Sequence, residues 1–341
     1  MKKFWLKISL VLILTTIFLY IFFKSVDWKE VLFYLGNFDK RYLLLIIILT
    51  PFHYVTRAAK WRYLFVSRKK NIKFSNLFSA NVIGFMVSYL LPLRAGEIVR
   101  PVYLGQKENI SRSFSFGTVV VERIFDLLTV LFLFGFFWLL KPFYHSYFQE
   151  REQALSHLSY ISLIALSIGL ALISIIIFLF FFQSKAISVI SFFLKPFPKI
   201  SQKAIHISKN FLEGLNFFHS PPHLILYLFF SLVQWVFIGF FSWLVLYSFG
   251  IYFPFPLIVP YLILTMVGAS IPTPGMVGGF HALSKMGLIS LYGVDTNLAV
   301  GATIALHAII YISTIVMGAI ILWKEGISFA QIRKLEREIS V

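Results

Sequence analysis

Six long apolar runs constrain the fold of this chain more than any other feature. They cover approximately residues 4–23, 42–59, 118–140, 159–182, 223–249 and 298–323. A helix needs about 20 residues to cross the ~30 Å hydrocarbon core of a bilayer, so each run is of spanning length. The expected fold class is an all-α polytopic membrane protein, one integral membrane domain over residues 1–341. Composition agrees, with 59% hydrophobic and 13% charged residues, against about 45–50% and about 25% in soluble domains. Forty Phe suit a lipid-facing surface. The absence of cysteine excludes disulfides, thiol nucleophiles and Cys-based metal sites. The formal net charge of +17 fits loops that face anionic lipid better than it fits nucleic acid. The N-terminal run continues to Phe23 and ends in bulky residues and Lys24. That predicts an uncleaved first helix rather than a signal peptide.

Two further apolar runs, 76–91 and 257–271, are shorter and end at Pro92 and Pro272. Lys and Arg between the runs fall nineteen on one side and six on the other. The richer side collects residues 1–7, 57–75, 183–219 and the tail 324–341. The positive-inside bias then places both termini in the cytoplasm of a cell membrane. The assignment holds only if the two short runs turn back as re-entrant hairpins. Non-helical backbone at that depth must be shielded by protein or line a wet cavity. The predicted architecture is about six full transmembrane helices plus two re-entrant hairpins, or eight membrane segments by hydropathy. Both halves, about 4–140 and 159–323, read helix, helix, hairpin, helix from opposite sides. Pro92 and Pro272 each precede the next long run by 26 residues. Inverted repeats with paired broken helices mark transporters whose site lies between the breaks.

Charges at membrane depth supply the candidate site. Glu122, Arg123 and Asp126 lie inside the third long run, and Arg94, Glu97 and Arg100 lie on the first hairpin. Glu122 and Asp126 are four apart and share a helical face, and Arg123 is three from Asp126. A charge at a helix centre costs about 2.5–3.5 kcal/mol on insertion scales, so these groups must pair or face a polar cavity. One reading is an anion site, because a guanidinium donates two parallel hydrogen bonds to phosphate. The other is a structural ion-pair clamp on the hairpin, and the sequence weighs the two equally. Asp295 is a further acid at the membrane edge. The second hairpin holds Gly275, Gly278, Gly279 and His281, whose glycines permit positive φ and close backbone approach. Its free N–H groups could receive an anion, and a tight turn explains the glycines equally well. His307 and Lys285 are candidates to face the same cavity. The lysine-spaced segment 183–222 reads as an amphipathic surface anchor, with 27–37 as a shorter counterpart. No nucleotide loop, serine elbow, zinc helix or dinucleotide fingerprint occurs. No cofactor and no metal are expected.

The stretches "LLPLRAGEIVRPVYLG", "VVVERIFDLL" and "IPTPGMVGGFHAL", in that order, resemble the membrane region of lysylphosphatidylglycerol synthetases. The resemblance covers roughly 5–325. The first two stretches together carry it, since a Gly/Pro turn alone is weak. That region also occurs alone, in a broad family of flippase-like membrane proteins. The resemblance implies movement of a lipid between leaflets. It does not imply aminoacyl transfer, which a separate soluble domain performs and which is not expected after Val341. Many relatives have a glycine-richer turn followed by Glu where this chain has Met276 and His281. That departure puts a cationic lysyl-lipid in doubt and leaves a neutral or anionic lipid, or a polyprenyl-phosphate carrier, as plausible.

The leading expectation is a lipid transporter or flippase rather than an enzyme. Arg94, Glu97, Arg100, Glu122, Arg123 and Asp126 would form one half of its path, and Gly275, Gly278, Gly279 and His281 the other. The alternatives are an enzyme or enzyme subunit acting on a lipid-linked headgroup, and a membrane scaffold. Expected partners are membrane lipids, with anionic headgroups at the cytoplasmic leaflet and no nucleic acid. A second copy of the chain or a membrane enzyme is compatible with the sequence.

Overall fold

The computed structural model describes residues 2–69, 71–91, 94–140, 142–143, 152–193, 201–202, 205, 208–209, 212–215, 219–329 and 331. Pro92, lysines Lys195, Lys199 and Lys203, and the tail from 332 lie outside the described residues. The described chain is helical, with no strand. The first half contains α1 (Lys2–Phe23), α2 (Trp28–Asn37), α3 (Lys40–Arg62), α4 (Phe74–Leu90), α5 (Gly96–Glu108) and α6 (Arg112–Leu139). The second contains α7 (Glu152–Phe181), α8 (Gln183–Phe193), α9 (Pro221–Ser248), α10 (Ile258–Ser270), α11 (Gly279–Tyr292) and α12 (Thr296–Lys324).

The protein is an all-α polytopic membrane protein. Three stretches, α3 with the turn after it, α9 and α12, are long and apolar enough to cross a membrane, and up to five if each bent pair α1–α2 and α7–α8 is one span. α6 has 28 residues, about 42 Å at 1.5 Å per residue, but carries Glu122, Arg123 and Asp126 near its middle. Ile48, Phe132, Leu163, Leu170 and Phe229 are each more than half exposed. Such apolar surface on long helices is what lipid covers.

The two halves run through the same elements. Each opens with a long helix bent against a short one, by 83° at α1–α2 and 98° at α7–α8. A long helix follows, then two short helices packed as a hairpin, then another long helix. α3 and α9 pack on each other, α5 packs on α6, and α11 on α12. The hairpin helices have 17 and 13 residues in the first half and 13 and 14 in the second. At about 20–25 Å each, none crosses a ~30 Å core alone.

Each hairpin closes on a glycine pair. A Cβ on Gly96 would lie 1.6 Å from the Gly84 carbonyl oxygen, and one on Gly279 would lie 2.6 Å from that of Gly268. With no lipid-excluding force between membrane helices, small residues let backbones gain van der Waals contact.

Helix caps place two loop-side acids. Asp39 caps α3 by accepting the Arg41 N–H at 3.0 Å, and its side-chain bonds to Arg41 hold its carboxyl below the usual range. Asp295, expected at the membrane edge as a candidate acid, is the N-cap of α12 and accepts from the Asn297 and Leu298 N–H groups at 2.8 and 3.1 Å. A side-chain oxygen there satisfies donors the helix leaves open. Asn297 in turn donates to Glu30 at 2.6 Å, which ties α12 to α2.

One expectation is corrected. Arg57 and Lys60 were counted among loop charges, but α3 runs on to Arg62 and buries them at 5% and 0% exposure. Their burial removes two of the nineteen charges on the richer side and leaves the sign of the bias unchanged.

Gly96→Ala is expected to lower the thermal midpoint in detergent and broaden the size-exclusion peak, because its methyl would overlap α4. Gly135→Ala, whose Cβ would meet nothing within 4 Å, should be neutral or slightly stabilising, since Ala favours a helix by up to about 1 kcal/mol over Gly.

Candidate functional site

The charges of α6 sit at the junction of α3, α5 and α9. Glu122 is fully buried and accepts from Arg100 Nη2 of α5 at 2.5 Å and Arg57 Nη1 of α3 at 3.1 Å. Asp126, one turn on, accepts from Lys60 Nζ at 2.5 Å and from the Trp235 indole N–H of α9 at 3.1 Å. Gln234 Nε2 approaches the same oxygen at 3.4 Å. Arg57 and Lys60 are three apart on α3, Glu122 and Asp126 four apart on α6, so the two faces mesh. Arg100 also receives support from Asn81 Oδ1 at 2.9 Å, and its guanidinium lies 4.4 Å from the Trp61 ring centroid. The Arg57 guanidinium lies 4.6 Å from that of Phe85. Aromatic faces stabilise a desolvated cation that water can no longer reach.

Beside this network lies a cavity of about 470 Å³, a size typical of ligand sites. Arg57, Arg94, Arg123, Glu97 and Asp126 line it, with His53, Tyr89, Trp235, Met276 and His307. Arg94 pairs with Glu97 at 3.0 Å, and its other nitrogen donates to the Ala269 carbonyl of α10. That bond joins the first hairpin to the second. Arg123 faces Glu122 and Asp126 at 3.5 Å each, with about a third of its side chain exposed. Its Nε is buried with no hydrogen-bond partner.

Both hairpin tips are strained where they meet the cavity. Arg94 has φ 54° and Met276 φ 60°, a left-handed conformation uncommon outside glycine. Such strain persists only where surrounding structure enforces it. His307 Nε2 donates to the Gly275 carbonyl at 2.9 Å and fixes the second tip.

Of the residues expected at the site, Arg94, Glu97, Arg123 and Asp126 line the cavity, while Arg100 and Glu122 stand behind them in the ion network. Gly275, Gly278, Gly279 and His281 are not in its wall. Gly278, at φ 98°, packs against Thr15 and Phe18 of α1, and Gly279 forms the crossing with Gly268. His281 lies behind His307, their rings 4.6 Å apart. Lys285 points away from the cavity and donates to the Phe22 and Lys24 carbonyls at 2.9 and 3.0 Å. It thereby neutralises the negative end of α1. The sequence reading missed Arg57 and Lys60 as site residues, because the apolar run fades before α3 ends at Arg62. Trp235 and Gln234 carried no signal, because a neutral donor in an apolar run looks like any lipid-facing helix. No group of three or more His, Cys, Asp or Glu among the described residues could hold a metal ion.

The model of the lysylphosphatidylglycerol synthase TM region matches residues 5–318. A UPF0104 membrane protein of Methanocaldococcus jannaschii is 24% identical over 328 residues, covering 92% of this chain and 94% of the relative. The glycosyltransferase AglD of Haloferax volcanii is 28% identical over 124 residues, 36% of this chain and 20% of that protein. No solved structure matches.

Glu122→Gln is expected to destabilise the protein by about 3–5 kcal/mol, because it leaves Arg100 and Arg57 buried beside a neutral amide. Replacing Arg100 and Glu122 together by Met should cost less than Glu122→Gln alone. Glu97→Gln, at the cavity wall, should shift the melting midpoint little. Thermal unfolding of the three variants in one detergent checks the order.

Proposed function

The chain belongs to the family of the lysylphosphatidylglycerol synthase TM region, and from that membership and the site we propose that it is a lipid flippase. A lipid headgroup passes through the polar cavity between the hairpins while its hydrocarbon chains stay in the bilayer. The carrying observation is that the tips of both hairpins wall one cavity holding Arg57, Arg94, Arg123, Glu97 and Asp126. Charges of this kind are rare in membrane segments and face substrate paths when they occur. In this reading Arg94 and Arg123 contact the headgroup, and the network around Glu122 and Asp126 holds them in place. Gly275, Gly278, Gly279 and His281 shape and back the second tip rather than touch the lipid. The protein makes and breaks no bond. Movement is passive or driven by an ion or the membrane potential, since no nucleotide motif occurs in the sequence. We place it in the cell membrane with both termini cytoplasmic, on the strength of the lysine and arginine bias.

A second reading has one observation in its favour. The similarity to the glycosyltransferase AglD fits an enzyme or enzyme subunit acting on a lipid-linked headgroup. Turnover dependent on a divalent metal would select it.

Purified protein in liposomes carrying fluorescent lipids should expose inner-leaflet probe to a membrane-impermeant quencher. Arg94→Ala with Arg123→Ala should abolish that movement while the protein still elutes as one folded species. Movement unchanged by the pair would remove the cavity from the path.

A further inference from the structure

The charges around the cavity do not balance. Arg57, Lys60, Arg94, Arg100 and Arg123 face Glu97, Glu122 and Asp126, five cations against three carboxylates. The formal excess is two positive charges. Folding alone does not call for it. Lys60, Arg57 and Arg100 are each hydrogen-bonded to a carboxylate. Among the described residues, Arg123 has only its two 3.5 Å ion pairs and an unpartnered Nε. Arg94 is hydrogen-bonded to Glu97 at 3.0 Å and to the Ala269 carbonyl in a strained backbone, and its Nε, like that of Arg100, is buried without a partner among the described residues. Unmatched cations in a membrane are costly, and function is the usual reason they persist. Lys285, by contrast, is buried and donates to two backbone carbonyls.

Resting on the flippase reading, we propose that the cavity takes a lipid whose headgroup ends in a phosphate monoester, held between Arg94 and Arg123. A phosphate monoester carries about −1.5 to −2 charge at neutral pH and three acceptor oxygens, which matches the excess. A phosphodiester would leave one positive charge unmatched, a zwitterion both, and a cationic headgroup would add a third. Guanidinium forks suit such oxygens better than an ammonium does.

A second feature favours a lipid over free phosphate. An apolar groove of about 380 Å³ lies between α3 and α9, lined by Phe52, Val236, Phe237 and Phe240 among others. Phe237 lines both groove and cavity. A hydrocarbon chain in the groove would reach the cavity mouth without leaving an apolar environment, so one lipid can occupy both.

The test measures binding, not movement. Purified protein in detergent is titrated with phosphatidic acid, with phosphatidylmethanol, which differs by one methyl on the phosphate, and with inorganic phosphate. Thermal stabilisation and native mass spectrometry are the readouts. Phosphatidic acid should bind at least about tenfold tighter than phosphatidylmethanol, a difference of about 1.4 kcal/mol. Arg94→Gln, outside the buried network, should remove the preference, as should Arg123→Gln where it folds. Equal binding of the two lipids overturns the monoester assignment. Inorganic phosphate stabilising as well as phosphatidic acid overturns the lipid. Selective binding without leaflet exchange would keep this inference and sink the flippase reading. Leaflet exchange without selectivity would do the reverse.

Discussion

Two carboxylates on one helix hold the first half of this protein together and tie it to the second. Glu122 and Asp126 gather Arg57 and Lys60 from α3, Arg100 from α5 and Trp235 from α9. Lipid offers no solvation to any of these groups, so each one's lowest-energy place is against its partner. The arrangement is directional as well as strong, because Arg100 reaches both Glu122 oxygens with its fork while its guanidinium lies over the Trp61 ring. Replacing the acids would unfasten a helix pair, a hairpin and one wall of the cavity together.

The second half repeats the architecture without the chemistry. Its hairpin is tied to α12 by a chain of hydroxyls, Tyr261 to Ser284 and Ser284 to Thr303, each at 2.7 Å. Neutral bonds of this kind need no counter-charge. One cation, Lys285, fastens α1 instead, through backbone carbonyls. The cavity therefore has one ionic wall and one largely neutral wall. A ligand crossing it would meet a rigid charged face on α6 and a softer face of Met276 and His307. The Arg94–Ala269 bond spans the two.

Much of the fold was legible because hydropathy and length report helices crossing lipid with few alternatives. Both short-helix hairpins and the repeated order of elements followed from runs, prolines and glycines, whereas the 83° bend between α1 and α2 had no signal in them. The boundary of α3 was not legible, since the apolar signal fades before the helix ends. Arg57 and Lys60 therefore looked like loop residues, although they face Glu122 and Asp126. The glycines of "PGMVGG" signalled a turn, but their spacing could not tell a ligand cradle from a crossing of backbones. Gly279 proved to be a crossing only because Gly268 lies opposite it, eleven residues earlier. Asp295 illustrates the same limit, as an acid at the membrane edge and an N-cap have one sequence signature.

The order of the charges along the chain bears on how the protein is made. Arg57, Lys60, Arg94 and Arg100 all precede Glu122 and Asp126. When α6 leaves the ribosome, the cations it needs have already been synthesised. An acidic helix that would partition poorly by itself can then enter the bilayer against partners in waiting. α1 is in the opposite position, since Lys285 is translated more than 250 residues after Phe22 and Lys24. The lock on the end of α1 is thus completed only once the second hairpin has been made.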